Sequence, residues 1–214
     1  DKSSSFPNTF PSKKQFEENC QELGISSSSK IVVYDSLGIY TSPRVWWMFK
    51  AMGHSDIAVL DGGFPEWIIK GFATETIVES KYLKGNFKAI FHSEMIRSID
   101  FVKDNLSSND SLIIDARSAD RFNSLVSEPR ADLRRGNIPK SINIAFADTL
   151  ESGKFKSVEK LTRLFQENNC ANKSLVFSCG SGITACIVLL ATELVFEGNK
   201  SIYDGSWTEW AQLE

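Results

Sequence analysis

The chain has 214 residues, 42% of them hydrophobic and 24% charged, ordinary values for a globular protein of one large or two modest domains. A net charge of −3 gives no electrostatic pull toward nucleic acid or an anionic membrane, and no apolar run is long enough to span a bilayer. Four cysteines and two histidines show no metal-site spacing, so a zinc site and a disulfide scaffold are both excluded and no cofactor is expected. Reduced thiols suit a cytoplasmic or mitochondrial setting.

The chain opens on Asp1 with a Ser/Pro-rich stretch, "DKSSSFPNTFPS", which reads as a loop and suggests that further residues precede it. "SKKQFEENCQEL" reads as a helix with Phe16, Cys20 and Leu23 on one face. An apolar strand near Val33 leads through a short loop into the apolar helix "SPRVWWMFKA". A second strand, Ile57 to Leu60, follows, and then D-G-x-x-x-E-W. The polar stretch Ala73 to Phe91 reads as a linker, which divides the chain into residues 1–75, a linker at 76–91, and residues 92–214. Beyond it, "SLIIDARSADRF" predicts a buried strand ending at Asp115 and a short helix capped by Ser118. "RGNIPKSINIAF" predicts a turn into another strand. Ser157 then caps a helix with Val158, Leu161, Leu164 and Phe165 on one face. Last comes "SLVFSCGSGITACIVLL", a short buried strand, a cysteine, two glycines, and an apolar helix starting near Ile183.

The first and last of these regions are copies of one another. Shifted by 143 positions, Lys30 to Trp67 lies without gaps over Lys173 to Trp210. Val33 meets Val176, Thr41 meets Thr184, and the D-G-x-x-x-E-W ends coincide at Asp61/Asp204, Gly62/Gly205, Glu66/Glu209 and Trp67/Trp210. The chain is therefore expected to be α/β, with two related units, each an open and mostly parallel sheet flanked by helices. The first unit lacks counterparts for the strands that open the second, and reads as incomplete.

Cys179 sits where a strand turns into a helix, the edge at which open α/β sheets place their chemistry. Small residues there let consecutive backbone N–H groups converge on one point, and the helix start adds the positive end of its dipole. The expected occupant is the Cys179 sulfur as a thiolate. Cys20 and Cys186 occupy helical core spacing and read as inert, and Cys170 reads as a loop thiol. A cysteine phosphatase would need an arginine six residues after its nucleophile, where this chain has Ala185. Transfer of sulfur through a persulfide needs no such cation.

The motifs "CGSGITA", "DARSADRFNSLVSEPR", "YDGSWTEW", "SPRVWWMFKAMGH" and "LDGG" resemble the two-domain rhodanese-like sulfurtransferases, in particular those that use 3-mercaptopyruvate. The resemblance implies two tandem rhodanese-like domains, the second catalytic. It makes Cys179 the persulfide-forming nucleophile and Ser181 a proton-transferring hydroxyl. It makes Arg121 and Arg130 the grip on the substrate, and Gly180, Gly182, Ile183 and Thr184 the amide-bearing remainder of the pocket. The implied reaction releases pyruvate and passes sulfur to a thiol acceptor such as thioredoxin, or to cyanide. Thiosulfate as donor, or a carrier module without turnover, is the alternative. Two departures stand out. The His and Asp that usually assist the serine have no match, since neither His54 nor His92 lies in the motif, and the family's "GHIPG" turn reads "GNIPK" here. Ser36 occupies the position of Cys179 in the first copy, which leaves that half without a nucleophile.

Overall fold

The computed structural model describes residue 1 and residues 3–76, 83–171 and 173–213. In the first half, helix α1 (Lys13–Glu22) is capped by Ser12, whose hydroxyl accepts the Gln15 N–H. It is followed by strand β1 (Ile31–Val33), helix α2 (Ser42–Ala51), strand β2 (Ile57–Val59) and helix α3 (Gly63–Ile69). β1 and β2 pair in parallel, Ile31 opposite Ile57.

The second half begins with β3 (Ile96–Arg97), α4 (Ile99–Ser108), β4 (Ser111–Asp115), α5 (Ala119–Phe122) and β5 (Ile142–Asn143). A small antiparallel hairpin, β6 (Leu150–Glu151) and β7 (Lys154–Phe155), leads into α6 (Val158–Glu167). The cysteine region supplies β8 (Ser174–Ser178), α7 (Ala185–Glu193), β9 (Lys200–Tyr203) and α8 (Ser206–Trp210). Apart from the β6–β7 hairpin, the described strands of the second half form one five-stranded parallel sheet in the order β3-β9-β8-β4-β5. β8 lies at the centre with Leu175, Val176 and Phe177 fully buried, which is why it is a continuous apolar run rather than an alternating one.

The repeat survives in three dimensions. β1, α2, β2 and α3 begin at Ile31, Ser42, Ile57 and Gly63, and β8, α7, β9 and α8 begin at the positions that the 143-residue shift assigns to them. α7 is apolar all round because it is covered twice, by its own sheet and by α2 of the first half. Trp46, Trp47 and Ala51 of α2 join the same core as Phe177, Cys186 and Leu189, so the halves share one interior.

Several expectations are corrected. Leu23 is the residue past the end of α1 and is exposed, and Val158, in the first turn of α6, leans back past the cap into solvent. β2 stops at Val59 rather than Leu60, and α7 starts at Ala185 rather than near Ile183. Ser118 precedes α5 without a side-chain cap bond. Cys170 lies on the loop between α6 and β8, as read, but its side chain is buried in the core. Of the expected linker, residues 77–82 lie outside the described residues. Phe87 and Ala89, further along, pack into the first half against Phe16, Phe49 and Met52. No described helix is long and apolar enough to cross a membrane.

Candidate active site

At the carboxyl edge of β8, the chain leaves the sheet at Ser178 and re-enters regular structure at Ala185. Three peptide units of the intervening loop have their carbonyls tied back into the protein. The Cys179 carbonyl accepts the Trp207 N–H at 2.9 Å. The Gly180 carbonyl accepts both the Thr208 N–H at 3.0 Å and the Thr208 hydroxyl at 2.6 Å. The Gly182 carbonyl accepts from Arg44 Nη1 and from the Cys186 thiol, each at 3.3 Å. In a planar trans peptide the next residue's N–H points opposite to the carbonyl. Pulling these three carbonyls outward therefore turns the Gly180, Ser181 and Ile183 N–H groups inward. Among the described residues, none of the N–H groups from Gly180 to Thr184 has a protein acceptor. The loop has the geometry of an anion site built from main chain.

The first half shows what such a site holds. Asp35 stands one residue before Ser36, and its carboxylate accepts the N–H groups of Tyr40, Thr41 and Ser42, each at 3.0 Å, together with the Ser42 hydroxyl. Those amides are the repeat counterparts of Ile183, Thr184 and Ala185. Partial burial raises the Asp35 pKa, but hydrogen bonds led by the Ser42 and Tyr40 amides outweigh it and hold the carboxyl below its ordinary value. In the second half the position of Asp35 is Ser178, which carries no charge, and the equivalent amides are left for another anion.

Cys179, Gly180, Ser181, Ile183 and Thr184 line one cavity of about 210 Å³ together with Arg121 and Arg130. Gly182 does not line it. At φ +79° it turns the backbone, and a Cβ there would stand 3.2 Å from both Arg44 Nη1 and the Asp204 carbonyl. Ser181 Oγ accepts from the side-chain amide of Asn8 at 3.0 Å, which leaves its own proton to be donated elsewhere. Neither histidine lines the cavity: His54 packs among Phe49 and Phe87, and His92 pairs with Glu94. The Asn137 of "GNIPK" donates to the Phe122 carbonyl, a turn contact outside the cavity.

The two arginines are held differently. Arg121 is ion-paired to Glu128, which also takes Arg117 at 2.8 Å, and Arg117 pairs with Asp115 at 2.6 Å. Arg117, Glu128 and Asp115 are essentially inaccessible. This chain of two carboxylates and two guanidiniums is electrically balanced. Arg130 donates to the Thr208 hydroxyl at 2.6 Å and, among the described residues, has no carboxylate within 4.0 Å. The cavity thus carries one unmatched positive charge. Arg117, Glu128, Thr208 and Tyr40, the last reaching in from the first half, were not anticipated from the sequence. Thr208 could have been, since it lies inside the repeated D-G-x-x-x-E-W motif. Unlike Cys179, the other three thiols line none of the cavities described among these residues. Burial pushes Cys20 and Cys170 to about 11, and Cys186 to about 12, so all three stay protonated near neutral pH.

The Rhodanese-like domain profile matches residues 3–70 and 98–213. A human 3-mercaptopyruvate sulfurtransferase is 37% identical over 98% of this chain and 72% of its own length. A chicken thiosulfate sulfurtransferase is 36% identical over 98% of this chain and 73% of its own. The crystal structure of a 3-mercaptopyruvate sulfotransferase from Escherichia coli superposes with a TM-score of 0.85 at 33% identity, covering 97% of this chain and 78% of that one. On its sequence, its sheet order and these similarities, the chain belongs to the two-domain rhodanese-like sulfurtransferases, the family of the 3-mercaptopyruvate sulfurtransferases.

Proposed function

We propose that this protein transfers sulfur from 3-mercaptopyruvate through a persulfide on Cys179. The observation that carries the reading is the pair of equivalent amide nests, one filled by the Asp35 carboxylate and the other left open beside Cys179. The Cys179 thiolate attacks the donor's sulfur, and an S–S bond forms as the donor's C–S bond breaks. The electron pair leaves on carbon as the enolate of pyruvate, and a proton completes pyruvate. Arg121 and Arg130 bind the carboxylate and the ketone oxygen, where the enolate charge develops. Ser181, its oxygen occupied by Asn8, donates its proton toward the substrate. The persulfide anion then rests on the loop amides until an acceptor nucleophile, a thiolate or cyanide, attacks the outer sulfur, leaves with it as a persulfide or thiocyanate, and regenerates the Cys179 thiolate. Thioredoxin or cyanide is the acceptor we propose, and four unpaired cysteines suit a reducing compartment, cytoplasmic or mitochondrial.

Thiosulfate is the competing donor, and electrostatics separates the two. One unmatched guanidinium suits the single carboxylate of mercaptopyruvate better than a dianion, whose second charge would be uncompensated. Steady-state rates with the two donors test this. The expected kcat/KM is at least about 10²-fold higher for mercaptopyruvate, the scale of one well-placed charged contact. Equal values, or a preference for thiosulfate, would contradict the assignment.

A further inference from the structure

The cysteine loop belongs to the second half, yet one of its three outward ties comes from the first. Arg44, on α2, is buried and reaches across with its whole fork. Nη2 donates to Asp204 Oδ1 and to the Asn8 carbonyl, both at 2.7 Å, and Nη1 donates to the Gly182 carbonyl at 3.3 Å. The face of the guanidinium lies 4.6 Å from the Trp47 ring. A planar group fixed by two acceptors and a ring has no freedom left, so the position of Nη1 is set. A side chain at Gly182 would crowd this neighbour, its Cβ standing 3.2 Å from Nη1.

We propose that Arg44 is a positioning residue: by holding the Gly182 carbonyl outward it turns the Ile183 N–H into the cavity, so that the first half completes the anion site of the second. The proposal rests on the sulfur-transfer reading for its kinetic consequence, but its geometry does not. Cys186 also donates to the Gly182 carbonyl, though a thiol is a weak donor and cannot replace a guanidinium there. The same arginine supports Asn8, whose side chain holds the Ser181 hydroxyl. One buried cation therefore reaches both the Gly182–Ile183 peptide and, through Asn8, the serine, without lining the cavity.

Arg44→Lys keeps the charge beside Asp204 but loses the fork, and Arg44→Met removes both. For each variant we would measure the single-turnover rate of persulfide formation at saturating 3-mercaptopyruvate, the KM, and the ¹H–¹⁵N resonance of Ile183 in the substrate-free protein. The expected result for Arg44→Lys is a rate at least ten-fold lower with KM within two-fold. The Ile183 amide signal should be displaced, while the Gly180 and Ser181 signals, governed by Trp207 and Thr208, stay in place. An unchanged rate and an unmoved Ile183 signal would overturn the proposal. So would a raised KM at an unchanged rate, which would make Arg44 a substrate contact, and so would failure of both variants to fold, which would make it scaffold alone. If the wild-type protein forms no persulfide, the sulfur-transfer reading fails, and the Ile183 signal still decides whether Arg44 orients the loop.

Discussion

Thr208 links the two kinds of group the site uses. Its hydroxyl donates to the Gly180 carbonyl and accepts from Arg130, each at 2.6 Å, so one small side chain fixes both an anion-binding peptide and the unmatched cation. Thr208→Val keeps shape and removes the hydroxyl. The Gly180 carbonyl retains the Thr208 N–H, while Arg130 loses its only protein partner among the described residues. The expected effect is a fall of about 10- to 100-fold in kcat/KM, the size of one or two hydrogen bonds to charged groups. Melting temperature should change little. A variant with wild-type kcat/KM would show that Arg130 needs no positioning. Glu128 is the opposite case, because it is buried and shared by Arg117 and Arg121. Its loss would leave Arg117 with Asp115 alone and Arg121 without its carboxylate, one positive charge uncompensated, and would be read first as lost stability.

At the level of elements, strand–loop–helix units with small residues in the loop make anion sites twice in this chain, once for Asp35 and once beside Cys179. Asp35 allows a test of the first. Its depressed pKa means that its contribution is complete above the ordinary aspartate value of 3.8 and is lost as pH falls through the lower folded value. Asp35→Asn should therefore melt lower than wild type at neutral pH, by the equivalent of a lost helix cap, about 1–2 kcal/mol. Thermal melts taken at successively lower pH should converge below 3.8, and a gap that persists in acid would refute the role assigned to Asp35. These units were legible in the sequence because their starts obey a constant shift and their loops are short and rich in small residues, Ser36 and Gly38 in one and Gly180, Ser181 and Gly182 in the other. α4 was overlooked although Ser98 caps it and Val102 is buried, because nothing in the first copy corresponds to it. β3 and the β6–β7 hairpin are two-residue strands, too short for alternation to register, whereas β5, equally short, was legible from the turn ahead of it. Arg44 and Asn8 escaped for a different reason. Their partners in the second half lie more than a hundred residues away, and spacing alone marks neither as part of the site.

Across the whole molecule the two halves hold each other through matching contacts. Phe10, two residues ahead of the α1 cap, gives its N–H to Asp204 at 2.7 Å, and Phe155, two residues ahead of the α6 cap, gives its own to Asp61 at 3.0 Å. Each half thus grips the D-G-x-x-x-E-W aspartate of the other. Only the Asp204 end adjoins the cysteine loop, through Arg44. Asp61→Ala is expected to lower the melting temperature by about 2–5 °C, the worth of roughly 1 kcal/mol in a protein of this size, and to leave kcat/KM unchanged. An equal loss of activity would mean that the two ends are coupled. The shared interior of α2 and α7 packs the first half, which carries Ser36 at the repeat position of Cys179, directly against the helix that follows the cysteine loop. The central claim is that one sulfur anion rests on the amides beside Cys179. The most direct measurement is the intact mass of the protein after incubation with 3-mercaptopyruvate and removal of excess donor. The account predicts a gain of one sulfur atom, mapped to Cys179, discharged by an added thiol and absent in Cys179→Ala, with Cys20, Cys170 and Cys186 unmodified. A mass that stays unchanged, or sulfur recovered on one of the three buried thiols, would contradict it.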